Sequence, residues 1–177
     1  MENTEYRGHD MGLGPLTWRS YLPLVAVFGV IFAIAGADGL RDWRMGDFVL
    51  RETTLTFMAV FFIVFAAFKL TSLKGFVDGY STYDLLAMRA RWYAYLYPFI
   101  ELGFGLAMIA GFHGTGLLWA EFTVMIFSGL GVARKLLRHE LLQCVCLGTW
   151  LKVPLTSVTL VEDFGMAALA LILAIAK

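Results

Sequence analysis

The chain has 177 residues, of which 59% are hydrophobic and only 16% are charged. Soluble domains are near a quarter charged, and the mean hydropathy of +0.72 places this chain well outside that class. The formal net charge is zero, which gives no general attraction to nucleic acid. The composition therefore predicts an all-α, integral membrane helical bundle in the lipid bilayer, folded as one domain.

The first apolar stretch follows a polar N-terminal tail, residues 1–20, that lacks the basic start of a cleaved secretory signal. We therefore expect a single transmembrane domain over residues 21–177. Spanning helices are predicted at five apolar stretches, residues 21–37, 54–69, 92–112, 117–133 and 160–176. Apolar residues at three- and four-residue steps over residues 70–80 predict a short amphipathic helix lying in the membrane interface.

The positions of Lys and Arg predict the orientation of the bundle. With five spans, ten basic residues fall on the side of the N-terminus and four on the other side. Cytoplasmic loops carry the excess of basic residues. The N-terminus and the loop between the fourth and fifth spans are therefore predicted to be cytoplasmic.

Cys144 and Cys146 are the two cysteines of the chain, and both lie in the predicted loop between the fourth and fifth spans. Thiolates at this spacing can bind a soft metal such as Cu(I), or they can cycle between a dithiol and a disulfide. The disulfide would close a strained ring, which makes it easier to reduce. A third interpretation is that they are small apolar residues packed at the bilayer surface.

Glu101 lies near the middle of the third span, three residues after Pro98. An acidic side chain at the centre of a span costs about 3 kcal/mol on insertion scales, so it should face a partner or a wet cavity. Glu101 is therefore a candidate buried acid, acting as a proton relay or a metal ligand. Alternatively, it is a protonated carboxyl that hydrogen-bonds a neighbouring helix.

Other polar and aromatic side chains near the predicted span ends are expected to have structural roles. Lys69 should extend to the interface, with Asp84 or Asp78 as its partner, and Glu121 should reach interfacial water. Six aromatic residues around the start of the third span are expected to anchor the bundle at the interface. They are Tyr80, Tyr83, Trp92, Tyr93, Tyr95 and Tyr97.

Two common classes of function have little support in the sequence. No histidine lies at mid-span, so the sequence does not predict axial haem ligation or any other definite cofactor. It also contains no phosphate-binding loop, dinucleotide fingerprint or serine-nucleophile elbow. A stand-alone enzyme is therefore not expected.

Several short motifs, taken together, are similar to those of the MauE/DoxX-type small membrane proteins. They are Phe68-Lys69, Gly75-Phe76, Tyr83-Asp84, Tyr97-Pro98 with Glu101, Cys144-x-Cys146-Leu147-Gly148, and the VTLVED segment at residues 158–163. Within that group the chain resembles the methylamine-utilisation MauE branch. The resemblance extends from about Phe57 to the C-terminus.

The resemblance implies a four-helix membrane core, to which this chain adds an N-terminal span, in a bacterial inner membrane. MauE proteins are linked to maturation of a disulfide-rich amine dehydrogenase subunit, beside a thioredoxin-like partner. Some relatives with the Cys-x-Cys-Leu-Gly form carry a heavy-metal-associated domain, which implies metal traffic. This chain departs from both patterns: its first twenty residues contain no cysteine, and Leu147 stands where the methylamine proteins more often have phenylalanine.

Three functions remain open at this point. In the first, Cys144 and Cys146 exchange electrons with a partner protein, with Glu101 as a buried acid. In the second, the same cysteines carry Cu(I) or another soft metal, received from a metal chaperone. In the third, the chain is a non-catalytic accessory subunit of a larger membrane complex.

Overall fold

The computed structural model describes residues 22–47, 49–138, 143–144, 153–154 and 157–176, with side chains described at 22–47, 49–138 and 160–176. The predicted N-terminal tail lies outside these residues. The elements are α1 (Leu22–Met45), α2 (Leu50–Thr71), α3 (Leu73–Tyr80), α4 (Arg91–Ile109), α5 (Thr115–Leu137), β1 (Gln143–Cys144), β2 (Val153–Pro154) and α6 (Ser157–Ile175). β1 and β2 pair antiparallel, with Cys144 opposite Val153.

Each of the five predicted spanning stretches coincides with one of the long helices, which confirms the all-α membrane bundle. In the described part of the chain, α1, α2 and α5 are long and apolar enough to cross a membrane. α4 and α6 have 19 residues each. At a rise of 1.5 Å per residue that length nearly matches a hydrocarbon core about 30 Å thick. That α4 and α6 also cross the bilayer stays a prediction.

The first helix is longer than its apolar stretch. The predicted end near residue 37 is wrong, because α1 continues to Met45. Two contacts of Asp38 stabilise its polar last turns. Thr56 of α2 donates a hydrogen bond to the Asp38 carboxylate at 2.9 Å, and Arg41, one turn later in α1, forms an ion pair with it at 3.7 Å. Gly46 then ends the helix with a φ of +84°, a conformation that costs glycine little.

α2 lies at the centre of the bundle and packs against α1 and α4, while α5 packs against α6. Its buried side chains include Met58, Phe62 and Phe65. The α2–α4 contact is especially close at Gly105, where a Cβ would lie 2.8 Å from the Ala59 carbonyl oxygen. Outward-facing side chains of the long helices remain apolar, as expected of surfaces in contact with lipid.

α3 and the following turns, residues 81–90, cover one end of the bundle. The short helix predicted over residues 70–80 is confirmed at Leu73–Tyr80, and its position in the membrane interface stays a prediction. Its apolar face, Phe76, Val77 and Tyr80, is buried within the protein. The turns that follow α3 contact α5 at Gly131, where a Cβ would lie 2.7 Å from the Tyr83 carbonyl oxygen. α3 and these turns therefore enclose polar side chains at this end of the bundle, among them Lys69 near the end of α2.

Candidate functional site

The cysteine pair predicted as the reactive group lies in the connection between α5 and α6. Cys144 belongs to β1, and its backbone pairs with Val153 of β2. Cys146 and both thiol groups lie outside the described residues, so the role of the pair stays a prediction. The connection leaves the bundle at the C-terminus of α5 and the N-terminus of α6. The same end contains the C-terminus of α2 and the N-terminus of α4.

Glu101 has a partner that the sequence did not identify. Its carboxylate accepts hydrogen bonds from the Lys69 ammonium group, and the two side chains are only 3% and 7% exposed. The prediction that Lys69 extends to the interface is therefore wrong. Neither of the partners expected for Lys69 pairs with it. Asp78 forms an ion pair with Arg91, and Asp84 accepts hydrogen bonds from the backbone amides of Leu86 and Ala87. The cover formed by α3 keeps Lys69 inside the protein.

Aromatic rings form the walls around this ion pair. The Lys69 nitrogen lies 5.7 Å from the centroid of the Phe76 ring and 5.1 Å from that of Tyr97, within the range of cation–π attraction. The centroids of the Tyr80 and Tyr97 rings are 4.7 Å apart. Tyr80, Tyr83 and Tyr97 are all buried, so their predicted role as interfacial anchors is wrong. Whether the other three aromatics anchor the bundle stays a prediction.

Asp84 organises the turns that follow α3. One of its oxygens accepts hydrogen bonds from the backbone amides of Leu86 at 2.9 Å and Ala87 at 2.8 Å. The other accepts from the Tyr80 hydroxyl at 3.0 Å. Burial raises the pKa of Asp84, although these hydrogen bonds act in the opposite direction. The carboxyl therefore links the turns to the aromatic wall of the ion pair.

A third carboxyl, that of Asp163 in α6, lies in the same region as the ion pair. The Ser128 hydroxyl of α5 donates to it at 3.4 Å, a long and weak hydrogen bond. A cavity of about 20 Å³ lies between these groups and the ion pair. The side chains that line it are Lys69, Phe76, Tyr80, Tyr83, Tyr97, Ser128, Val132 and Asp163. Five elements of the fold thus bring polar groups to one small space.

Two further acidic residues are buried without full hydrogen bonding. Glu121 is completely buried, and neither of its carboxyl oxygens has a hydrogen-bond partner. The expectation that it reaches interfacial water is therefore wrong, because α5 turns it towards the interior. Glu162, next to Asp163, is also buried, and one of its oxygens lacks a partner. It lines an apolar groove of about 530 Å³ between α1, α2 and α6.

The structure joins Glu101 to residues that the sequence analysis had treated as structural or had not considered. Lys69, Tyr80 and Tyr97 were assigned to the interface, while Ser128 and Asp163 were given no role. The one available signal was the presence of a basic and an acidic residue in neighbouring apolar stretches. Their spacing along the chain gave no indication of which groups meet.

No group of three or more His, Cys, Asp or Glu side chains in the described residues could hold a metal ion. The predicted soft-metal ligands, Cys144 and Cys146, have their thiols outside the described residues, so metal binding by this pair stays a prediction.

A family model described as "Methylamine utilisation protein MauE" matches residues 46–176 of the chain, which include both cysteines and begin just after α1. Comparisons with curated proteins and with solved structures gave no match.

Proposed function

Because the chain belongs to the methylamine utilisation protein MauE family, we propose that this membrane protein takes part in thiol–disulfide exchange during maturation of a partner protein. Cys144 and Cys146 are the reacting groups. The observation that carries the proposal is the position of Cys144, whose backbone lies in a short strand between α5 and α6. A thiol in a connection between helices is more accessible to another protein than one within a lipid-facing helix.

The exchange proceeds in two balanced steps. A thiolate of the pair attacks a disulfide of the partner, forming a mixed disulfide and releasing one partner thiolate. The second cysteine then attacks the mixed disulfide, forming the Cys144–Cys146 disulfide and releasing the other partner thiolate. Two electrons pass to the partner, and its two thiolates take up two protons. The same steps in reverse oxidise the partner.

Glu101 is proposed as the buried acid that supports this chemistry. Its carboxylate is the partner of Lys69, so it balances the charge of the lysine inside the bundle. A proton added to Glu101 would leave that ammonium group without its ion pair. In this proposal Glu101 acts through charge, as the positioning residue of Lys69, while the cysteines react with the partner.

Trapping the mixed disulfide tests the proposal directly. In Cys146→Ser the second step cannot occur, so we expect Cys144 to remain joined to the partner. The adduct should appear on a non-reducing gel and disappear on reduction, and it should be absent from Cys144→Ser/Cys146→Ser. If no adduct forms and the double variant supports normal maturation, the accessory-subunit function takes the place of this proposal.

Soft-metal handling is the second candidate, because two cysteines at this spacing supply the sulfur ligands that Cu(I) prefers. Anaerobic loading of the purified protein with Cu(I) separates the two candidates. One bound equivalent that is lost in Cys144→Ser/Cys146→Ser would favour metal handling. Thiol exchange predicts that the adduct of Cys146→Ser forms without added copper.

We propose a bacterial inner membrane as the location, with the N-terminus and the cysteine connection in the cytoplasm. Support comes from the ten basic residues on that side against four on the other. Labelling of whole cells with a membrane-impermeant maleimide tests this orientation. Cysteines that react only after the cells are opened would support it, and labelling of intact cells would place the pair on the outer side.

A further inference from the structure

The small cavity beside the Lys69–Glu101 pair has the size and the lining of a water site. Its volume is about 20 Å³, and about 10–15 Å³ is enough for one water molecule. Polar groups of Lys69, Ser128 and Asp163 lie among the aromatic side chains that line it. A water there would have several hydrogen-bond partners, which is the condition under which buried water is stable.

The three carboxyl groups around the cavity differ in how many cations and hydrogen-bond donors stabilise their negative charge. Glu101 is paired with the ammonium group of Lys69. Asp84 accepts two hydrogen bonds from backbone amides and one from Tyr80. Asp163 accepts one long hydrogen bond, from the neutral hydroxyl of Ser128. Of these three carboxyls, Asp163 therefore has the least support for a negative charge.

Asp163 also has no cation of its own among the described residues that line the cavity. Lys69 is the one cation among the described residues that line the cavity, and Glu101 already balances it. A second carboxylate here would add an unpaired negative charge in a region of low dielectric constant. The titratable groups that face Asp163 or line the cavity with it come from all the surrounding elements. They are Lys69 of α2, Tyr80 of α3, Tyr83 and Asp84 of the following turns, Tyr97 and Glu101 of α4, and Glu162 of α6.

We propose that Asp163 carries an exchangeable proton and that the cavity holds a single water molecule. The water takes this proton from Asp163 and gives one to the Lys69 nitrogen, as Lys69 gives one of its own protons to the Glu101 carboxylate that it contacts. The reverse steps return the proton to Asp163. The site is a partly buried proton store near the end of the bundle from which the cysteine connection leaves. The proposal rests on described residues alone, so it does not depend on thiol exchange. Failure to trap a mixed disulfide would leave it intact.

Infrared spectroscopy of the purified protein in detergent tests the proton store. A protonated carboxyl has a carbonyl band that shifts when H₂O is replaced by D₂O. We expect Asp163→Asn to lose one such exchanging band. Glu162→Gln is the matched control, because Glu162 is the neighbouring acid on α6 but lines the apolar groove instead of the cavity. It should leave that band in place.

Filling the cavity tests the water molecule separately. Val132 lines the cavity and is buried, so Val132→Leu places an extra methylene group where the water would be. The band of Asp163 should remain in this variant, but its exchange with D₂O should become slower. Val132→Leu keeps every charged group, so it can still test the proposal if Asp163→Asn does not fold.

Two results would overturn the proposal. The first is an exchanging band that is unchanged in Asp163→Asn, or one that disappears in Glu162→Gln instead. The second is an exchange rate in Val132→Leu equal to that of the unmodified protein. Loss of the band in Asp163→Asn together with slower exchange in Val132→Leu would support both the proton and the water.

Discussion

Removing one member of the Lys69–Glu101 pair should destabilise the protein far more than removing a charge at its surface. Both side chains are almost completely buried, at 7% and 3% exposed. A buried ion pair that loses one partner leaves an uncompensated charge, which costs about 3–5 kcal/mol. Since about 1.4 kcal/mol is a factor of ten, Glu101→Gln should raise the unfolding equilibrium constant by roughly two to three and a half powers of ten.

Lys69→Met should cost a similar amount, because it leaves the Glu101 carboxylate buried without its cation. The methionine also loses the cation–π contacts with Phe76 and Tyr97, worth about 0.5–2 kcal/mol. The double variant Lys69→Met/Glu101→Leu leaves no buried charge at this position. Its stability should therefore lie above that of either single variant, since apolar replacement of a whole buried pair is often neutral or stabilising.

Reversible unfolding in mixed detergent micelles, followed by circular dichroism, measures these differences as a double-mutant cycle. Asp78→Asn is the control, because it removes the partner of Arg91 from a pair whose side chains are 52% and 61% exposed. It should cost no more than about 1 kcal/mol. The reasoning fails if Glu101→Gln is as mild as Asp78→Asn, or if the double variant costs the sum of the single ones.

Two further predictions concern close packing and pH. Gly105→Ala should destabilise the protein by about 1–3 kcal/mol, because the new Cβ would lie 2.8 Å from the carbonyl oxygen of Ala59; detergent unfolding measures the loss. Burial raises the pKa of Asp84 above its ordinary 3.8, so the folded state binds this proton more tightly than the unfolded state. The free energy of unfolding should therefore fall as the pH rises between the two pKa values, and Asp84→Asn should reduce that slope.

Each of these two predictions has a control in the chain. Gly103 lies two residues before Gly105 in α4, but a Cβ there would meet nothing within 4 Å. Gly103→Ala should therefore be neutral or stabilising, and an equal loss in both variants would contradict the packing argument. For the pH effect, Asp78→Asn changes an exposed acid and should keep the slope. A slope that is unchanged in Asp84→Asn would contradict the role given to burial.

The sequence predicted the number and approximate positions of the long helices well, because each needed only an apolar stretch of sufficient length. It was less successful at the helix ends. The charged segment after residue 37 indicated an end to α1, but Asp38 and Arg41 instead continue the helix to Met45. Contacts with another helix, such as that between Thr56 and Asp38, cannot be read from one segment alone.

The candidate site was predicted only in part. Glu101 was identified because a carboxyl in an apolar span needs a partner, and the structure supplies Lys69. The environment of Lys69 was predicted wrongly, because a lysine at a span end normally extends to water. α3 covers this lysine, and nothing in the local sequence of α2 indicates that cover. The roles of Cys144 and Cys146 stay predictions, since their thiols lie outside the described residues.

The amino-acid sequence by itself determined that this chain is a helical membrane protein, because apolar content and segment length are properties that add up along the chain. Only the tertiary structure decided which polar groups meet within the bundle. Lys69 and Glu101 are 32 residues apart, and Ser128 and Asp163 are 35 apart. Their contacts depend on how each helix is rotated and how closely it approaches its neighbour. Those quantities are set by packing at positions such as Gly105 and by the cover that α3 provides.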